Sequence, residues 1–246
     1  MKKTKRKLSL FITALIIYGS TINIVIAQPD PSEWHDVGFG LGGINYFMSY
    51  TAFNDVIKHV RWINVASWNE NGYPTAANSG TNVEARAGVG AGHHWKAGKY
   101  TLTWIGSGEV EVSRANAKLV EENLNSNPKK RVDEWTPEEY GLSIKINSFP
   151  VDNIHLYIPG QENNTSLWNP DFVEYMLPFK GKHFRFMDPN ATNGSRQEKW
   201  SDRTPRNWSS YANNNNNNAA EWRIKGEVAY EAMIELCNEL EADFWL

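Results

Sequence analysis

Residues 188–208 hold the densest group of side chains that could bind a polar ligand, since carboxylates, amides, guanidinium groups and indoles follow one another closely. Sugar hydroxyls need paired hydrogen-bond donors and acceptors, while the apolar faces of sugar rings suit an indole. We therefore expect a sugar subsite in this region. The residues expected to form it are Arg185, Asp188, Asn193, Trp200, Asp202 and Arg203.

Four of these residues also have a structural interpretation, which the sequence leaves open. Arg185 interrupts an apolar run. A guanidinium there either makes a structural salt bridge or lies beneath the subsite and orients a carboxylate of the ligand. Asp188 ends that run, and it either forms a turn or accepts a hydrogen bond from a hydroxyl. Asp202 and Arg203 either contribute to the subsite or pair with each other to hold a long loop closed.

Other patterns that could carry chemistry are weak. Residues 38–43 have the sequence GFGLGG, which resembles a phosphate-binding loop but lacks the preceding strand and the following helix, so we interpret it as a flexible turn. His93 and His94 have no companion at metal-ligand spacing. The sequence contains no nucleophile elbow and no HExxH motif. We therefore expect no metal and no cofactor, and we assign no catalytic residue.

The N-terminus has the order of a secretory signal peptide. Five basic residues at positions 2–7 precede an uncharged, mostly apolar run over 8–27, and Val25 and Ala27 are small enough for cleavage before Gln28. An uncleaved membrane anchor is the alternative, because the run approaches spanning length. We expect cleavage, which makes the protein secreted or periplasmic in a bacterium and leaves it without a membrane partner.

Cleavage would remove five of the 25 basic residues and none of the 28 acidic ones, which leaves 20 against 28 and a formal net charge of −8. This charge argues against nucleic acid as a partner, because nucleic acids bind basic patches.

Cys237 is the single cysteine of the sequence and cannot form an internal disulfide. We interpret it as a small buried side chain in a fold that is held by its core.

The middle of the chain predicts a β-sandwich domain over residues 28–160. Apolar side chains alternate with polar ones at 100–105, 109–112, 142–146 and 153–158. An antiparallel sheet with one apolar face needs this period of two. Glycine-rich breaks separate the strands, as turns require.

The pattern changes after residue 160. Apolar residues within 172–179 have helical spacing, and either Asn169 or Asp171 could cap the free N–H groups of that helix. Six consecutive asparagines at 213–218 predict a solvent-exposed loop of low complexity.

The last part of the chain predicts a strand at 183–187, an amphipathic helix at 226–242 and a second strand at 243–246. We interpret residues 161–246 as a linker and the first βα unit of an incomplete (β/α)8 barrel. An apolar strand is an unusual place for a domain to end, because its backbone groups need partners. We therefore expect the chain to be the N-terminal part of a longer protein.

Several phrases along the chain resemble one protein family. They are FNDVIKHVRW (53–62), NGYP (71–74), GKYTLTW (98–104), NIHLYIPG (153–160), FRFMD (184–188) with TNGS (192–195), and WSDRTP (200–205). In this order they resemble secreted bacterial glycoside-hydrolase-like proteins, often labelled cellulose-binding, with a TIM barrel behind an N-terminal β-sandwich. The resemblance implies a barrel that continues past Leu246, with catalytic carboxylates on later strands.

The sequence thus favours the N-terminal part of a secreted carbohydrate-active protein. The leading hypothesis is a glycoside hydrolase that acts on a polysaccharide through paired carboxylates, with residues 1–246 inactive alone. The alternatives are a non-catalytic carbohydrate-binding or adhesion protein and a purely structural exported β-domain. The expected partner is an oligosaccharide or polysaccharide.

Overall fold

The computed structural model of the protein describes residues 38–45, 48, 50–88, 95–113, 116–136, 141–190, 192, 197–212 and 227–245. The predicted signal peptide and the asparagine tract lie outside these residues. The helices of the described part are α1 (Pro170–Met176) and α2 (Tyr230–Glu239). Its strands are β1 (Gly38–Gly40), β2 (Arg61–Ile63), β3 (Val65–Trp68), β4 (Pro74–Ala77), β5 (Val83–Ala87), β6 (Gly98–Ile105), β7 (Val110–Val112), β8 (Lys118–Asn123), β9 (Lys129–Trp135), β10 (Leu142–Ile146), β11 (Asp152–Tyr157), β12 (His183–Arg185) and β13 (Asp243–Trp245).

Two four-stranded antiparallel sheets form a sandwich-like body. One sheet has the order β2-β5-β10-β7 and the other has the order β11-β6-β9-β8, while β3 and β4 form a separate hairpin. Apolar side chains from both four-stranded sheets meet in one buried cluster that includes Leu102, Trp104 and Ile144. The alternating pattern of β6, β7, β10 and β11 predicts this arrangement, because it places one apolar face of each strand inward.

Strands β1, β12 and β13 form a third sheet, which is parallel throughout and has the order β1-β12-β13. Gly38 pairs with His183, and His183 pairs with Asp243. Helix α2 lies between β12 and β13 in the chain. Its buried side chains Met233 and Leu236 join a second cluster that also holds the fully buried side chains of β12 and the segment after it.

The predicted fold class, a β-sandwich followed by the first unit of a (β/α)8 barrel, is wrong. Sandwich-like sheets are present, but the described residues are mostly strands in four sheets with two short helices. The parallel strands have three residues each and form an open sheet, and the edge strand β1 comes from before the sandwich. Strand β12 pairs with β1 as well as with β13, so one of its two neighbours comes from the GFGLGG segment and not from a βα unit. The sequence predicts a flexible turn for that segment, whereas its first three residues form β1.

Helix α1 begins as the sequence predicts. The side chain of Asn169 accepts a hydrogen bond from the N–H of Asp171 at 3.1 Å, with Pro170 in the first turn, so Asn169 is the cap. Its amide group also donates to the carbonyl and the hydroxyl of Thr51, at 2.8 and 3.0 Å. These bonds fix the start of α1 against residues 50–54. In the described part of the chain, neither helix has the length and apolar character needed to cross a membrane.

Candidate functional site

The candidate site lies at the edge of the parallel sheet where β1, β12 and β13 end. Parallel strands end on one edge of a sheet, and ligands of open parallel sheets bind outside these carboxyl ends. Backbone bonds continue past the strands, since the N–H of Leu41 donates to the carbonyl of Arg185 at 3.0 Å. The N–H of Phe186 likewise donates to the carbonyl of Trp245 at 2.9 Å. The segment that leaves β12 therefore starts from a fixed edge.

A short turn after β12, residues 199–203, carries three of the predicted site residues, and we name it the Trp200 turn. It contains the 3-10 helix Trp200–Asp202. The carboxylate of Asp202 accepts the backbone N–H groups of Lys199 at 2.9 Å and of Glu198 at 3.1 Å. These bonds lower the pKa of Asp202 below its ordinary value, because they favour the charged form. Asp202 therefore shapes the turn.

The indole of Trp200 is the exposed feature of this turn. Trp200 is 72% exposed, although tryptophan is highly buried on average. The guanidinium carbon of Arg203 lies 4.2 Å from the centre of the indole. The ring of Tyr230 lies nearly parallel to the indole, at 5° and a centroid distance of 6.1 Å. The indole is thus held by a cation and by a ring at the start of α2, while most of its surface remains open to solvent.

Arginines of the turn region pair with glutamates of α2. Arg203 Nη1 lies 2.9 Å from Glu231 Oε1, and Arg206 Nη2 lies 2.9 Å from Glu235 Oε2. The Nε of Arg203 and the Oε2 of Glu231 are buried and have no hydrogen-bond partner among the described residues. These two pairs attach the Trp200 turn and the segment after it to one face of the helix.

A buried carboxyl group lies beneath the turn. Glu227 is only 3% exposed and accepts a hydrogen bond from the hydroxyl of Thr204 at 3.1 Å and another from the side-chain amide of Gln197. Burial raises the pKa of Glu227 to about 7, because the charged form is poorly solvated there. Since Gln197 and Thr204 flank the turn, Glu227 connects both of its ends to the residues before α2.

Two of the other predicted site residues lie apart from this turn, and the third is not among the described residues. Arg185 is exposed on β12, and its guanidinium carbon lies 5.1 Å from the ring centre of Trp245 on β13. Asp188 is exposed in the turn after β12, where its backbone packs against Gly43, as a Cβ added to Gly43 would lie 3.3 Å from the Asp188 carbonyl oxygen. Asn193 lies outside the described residues.

The structure therefore brings together Trp200, Asp202 and Arg203, and it gives Arg185 a separate aromatic partner. Asp202 and Arg203 do not simply pair with each other, since Asp202 accepts backbone N–H groups and Arg203 pairs with Glu231. Whether these side chains bind a sugar remains a prediction.

Three residues at the site, Glu227, Tyr230 and Glu231, were not predicted as part of it. On the sequence, Glu227 and Glu231 are two of several evenly spaced glutamates within a predicted amphipathic helix. A signal was present, because Arg203 and Arg206 are spaced by three residues and their partners Glu231 and Glu235 by four. Spacing of this kind matches one face of a helix.

A second polar cluster lies in the sandwich, where Asp55, Lys58 and His155 are close together. His155 Nδ1 is 2.8 Å from Asp55 Oδ2, and its Nε2 is 3.1 Å from the side-chain oxygen of Asn153. The ammonium of Lys58 donates to the carbonyls of Arg206 and Trp208. Burial lowers the pKa of Lys58 to about 8. Because these polar groups have protein partners, we interpret the cluster as structural.

No group of three or more histidine, cysteine or acidic side chains is arranged to hold a metal ion within the described ranges. Comparisons of the chain with family models, with curated proteins and with solved structures gave no match. The resemblance to glycoside-hydrolase-like proteins therefore stays a prediction.

Proposed function

We propose that this chain binds carbohydrate through the Trp200 turn and belongs to an exported carbohydrate-active protein. The observation that supports the proposal best is the indole of Trp200, which is 72% exposed yet held by Arg203 and Tyr230. A ring that is fixed before binding loses little side-chain entropy when a ligand stacks on it. A sugar ring offers the apolar C–H face that such a platform accepts.

The polar groups around the indole suit hydroxyl groups better than a charged polymer. The Nε of Arg203 and the Oε2 of Glu231 are buried, but the side chains as a whole are 23% and 42% exposed. Their accessible guanidinium and carboxylate atoms could serve as donor and acceptor to adjacent hydroxyls of a sugar. The net charge of −8 expected for residues 28–246 disfavours a polyanion such as nucleic acid.

Binding explains the described acidic residues better than bond cleavage does. Glycoside hydrolysis requires two carboxyl groups that face one glycosidic bond, roughly 5–10 Å apart. Asp202 is held by backbone N–H groups, Glu231 pairs with Arg203, and Glu227 is buried beneath Thr204. Each of these three carboxyl groups thus has a structural partner. For the described residues we therefore favour binding over hydrolysis.

The proposal is tested by measuring the affinity of the full chain for a panel of neutral oligosaccharides and insoluble polysaccharides, by calorimetry and by pull-down. Replacing an aromatic anchor by alanine typically costs about 2 kcal/mol of binding energy or more, so we expect Trp200→Ala to weaken binding about thirtyfold. Arg203→Lys should also weaken binding, because a lysine cannot stack and pair in the same way. The effect should be smaller than that of Trp200→Ala, because the indole itself remains.

Trp245→Ala is the matched control. Trp245 is also more than half exposed and also faces an arginine, Arg185, so the variant tests the loss of an exposed indole elsewhere on the sheet edge. We expect its affinity to remain within about twofold of the parent chain. A Trp200→Ala protein that keeps the parent melting temperature and the parent affinity would rule out the turn as the binding surface. Failure of the parent chain to bind any member of the panel would reject the proposed function.

A further inference from the structure

A cleft opens next to the ends of β1 and β12, between the sheet, α1 and the start of α2, and we name it the aromatic cleft. Its volume is about 80 Å³. A single water molecule needs about 10–15 Å³ of such space, so the cleft accommodates a group of roughly six heavy atoms. The described residues that line it include Gly42, Tyr50, Trp168, Phe172 and Tyr175.

Flat aromatic side chains form one wall of this cleft. The ring of Phe172 stacks on Tyr50 at 5.9 Å and 8°, and on Trp168 at 5.4 Å and 21°. The indole N–H of Trp168 donates to the carbonyl of Ala232 at 2.7 Å, which fixes the stack against α2. Because Asn169 also anchors the start of α1 to Thr51, the wall is formed before any ligand binds. A preformed wall of parallel rings favours a planar ligand.

The chemistry of the lining is nearly uniform. None of the described lining residues is charged, and three of them are methionines, whose sulfur atoms contact aromatic rings favourably. Among the described lining residues, the polar side-chain groups without a backbone partner are the hydroxyls of Tyr50 and Tyr175, and these residues are 41% and 74% exposed. Burial, and to a lesser degree the neighbouring Tyr175, raises the pKa of Tyr50 above its ordinary value. The mouth therefore presents two phenol hydroxyl groups.

This lining excludes two classes of ligand. A charged group would lose its solvation without gaining a partner of opposite charge, which is costly. A sugar ring carries a hydroxyl on most of its carbons, and two tyrosine hydroxyls at the mouth could satisfy few of them. A planar ring with one hydroxyl loses no hydrogen bonds when its carbon atoms enter the apolar part of the cleft. Its hydroxyl can then pair with a tyrosine hydroxyl at the mouth.

We propose that the aromatic cleft is a second binding site, separate from the Trp200 turn, and that it takes a single neutral aromatic ring bearing a hydroxyl, the ligand class of phenols. The ring lies against the wall formed by Phe172 and Trp168. Its hydroxyl points outward to Tyr50 and Tyr175, which are more exposed. The site does not depend on the carbohydrate function proposed above.

The test uses p-cresol as the probe and follows the tryptophan fluorescence of the full chain during titration. Gly42 lines the cleft and has open space around the position of a Cβ, so Gly42→Leu should fill the cleft and weaken p-cresol binding about tenfold or more. Gly40→Leu is the matched control, because Gly40 also has open space around its Cβ position but does not line the cleft. Its affinity should stay within about twofold of the parent.

Further probes separate the ring from its hydroxyl. Tyr50→Phe should weaken binding of p-cresol and leave binding of toluene unchanged, and this variant decides the question even if Gly42→Leu does not fold. The anion p-toluate and the sugar methyl glucoside should not compete with p-cresol. Competition by either, unchanged affinity in Gly42→Leu, or no saturable signal in the parent chain would overturn the proposal. Trp200→Ala should bind p-cresol normally, and a loss in that variant would show that the two sites are not separate.

Discussion

The carboxylate of Asp55 lies 2.8 Å from Nδ1 of His155, although the two residues are 100 positions apart in the chain. The second oxygen of Asp55 accepts the N–H of Ile57 and the N–H of Leu156, both at 3.0 Å. Burial alone would raise the pKa of Asp55, but the charge and hydrogen bond of His155 lower it below its ordinary value. One carboxylate therefore caps the 3-10 helix Val56–His59 and attaches it to β11.

We predict that Asp55→Ala lowers the free energy of unfolding by about 3 kcal/mol, because removing one partner of a buried pair leaves the other groups unsatisfied. Asp55→Asn should cost less, since its amide oxygen can still accept a backbone N–H. Urea denaturation measures both variants. The control is Glu121→Ala, which removes the exposed pair with Lys130 at 3.6 Å and should change stability by less than about 1 kcal/mol. Equal losses in Asp55→Ala and Glu121→Ala would contradict the role of Asp55.

A second prediction concerns acid stability and His59. Its Nε2 accepts the backbone N–H groups of Ala52 and Phe53, at 3.0 and 3.2 Å. Burial lowers the pKa of His59 from 6.5 to about 3. Between these values the unfolded chain binds a proton that the folded chain does not, so folding stability falls as the pH falls from 6.5 towards 3.

The slope expected from one such group is about 1.4 kcal/mol per pH unit. His59→Gln keeps a side-chain acceptor but does not titrate, so between about pH 6.5 and pH 5 it should lose about 1.6 kcal/mol less stability than the parent, given that the unfolded histidine is already half protonated at pH 6.5. This range is chosen because most carboxylates remain ionised in it. Urea unfolding at both pH values gives the change in free energy of unfolding for the variant and for the parent. The contributions of the other titrating groups are the same in both proteins and cancel in the difference. Parallel pH profiles for the two proteins would refute the assignment.

Local patterns in the sequence predicted the alternating strands well and the long-range pairings poorly. Strand β10 matches its predicted bounds, because its apolar face produces a period of two. Strand β9 has the sequence KKRVDEW, and every residue of β8 is exposed, so neither has the alternation that indicates a strand. Strand β1 has three residues and pairs with His183–Arg185, far along the chain. Nothing local in GFG specifies that partner, which explains the incorrect fold class.

The same limit applies to the candidate site. Trp200, Asp202 and Arg203 lie within four consecutive residues, so their proximity follows from the sequence. Their partners Tyr230 and Glu231 belong to α2 and meet the turn only through the tertiary fold. The buried state of Glu227 was equally hidden, because on the sequence it is one of several evenly spaced glutamates.

A third prediction tests the close approach of backbone at Gly141. Gly141 has a φ of +62°, and a Cβ at this position would lie 2.1 Å from the carbonyl oxygen of Ala87. We expect Gly141→Ala to lower the free energy of unfolding by about 3 kcal/mol or more, since backbone must move to relieve the overlap. Gly80 has a φ of +74° but no atom within 4 Å of its Cβ position. Gly80→Ala should therefore show the backbone strain alone, about 1 kcal/mol. Thermal or urea unfolding that gives equal losses would show that the overlap is relieved at little cost.

The fourth prediction concerns Glu227, the buried carboxyl beneath the Trp200 turn. Its pKa is raised from 4.5 to about 7, so between these values the folded chain binds a proton that the unfolded chain has released. The stability contributed by the protonated carboxyl is therefore complete below pH 4.5 and is lost as the pH rises through about 7. Glutamine resembles the protonated form in shape and charge, and it can still accept from Gln197 and donate to Thr204.

We therefore expect Glu227→Gln to raise the free energy of unfolding by about 2 kcal/mol at about pH 8 and to change it little at about pH 4.5. Urea denaturation at the two pH values measures this difference. Glu174→Gln, on the exposed side of α1, is the control and should change stability by less than about 0.5 kcal/mol at either pH. A Glu227→Gln variant that is less stable than the parent at pH 8 would mean that the charged carboxylate, rather than the protonated one, holds the turn to α2. Because Thr204 and Gln197 flank that turn, the affinity for sugar should follow the same pH profile as the stability of this contact.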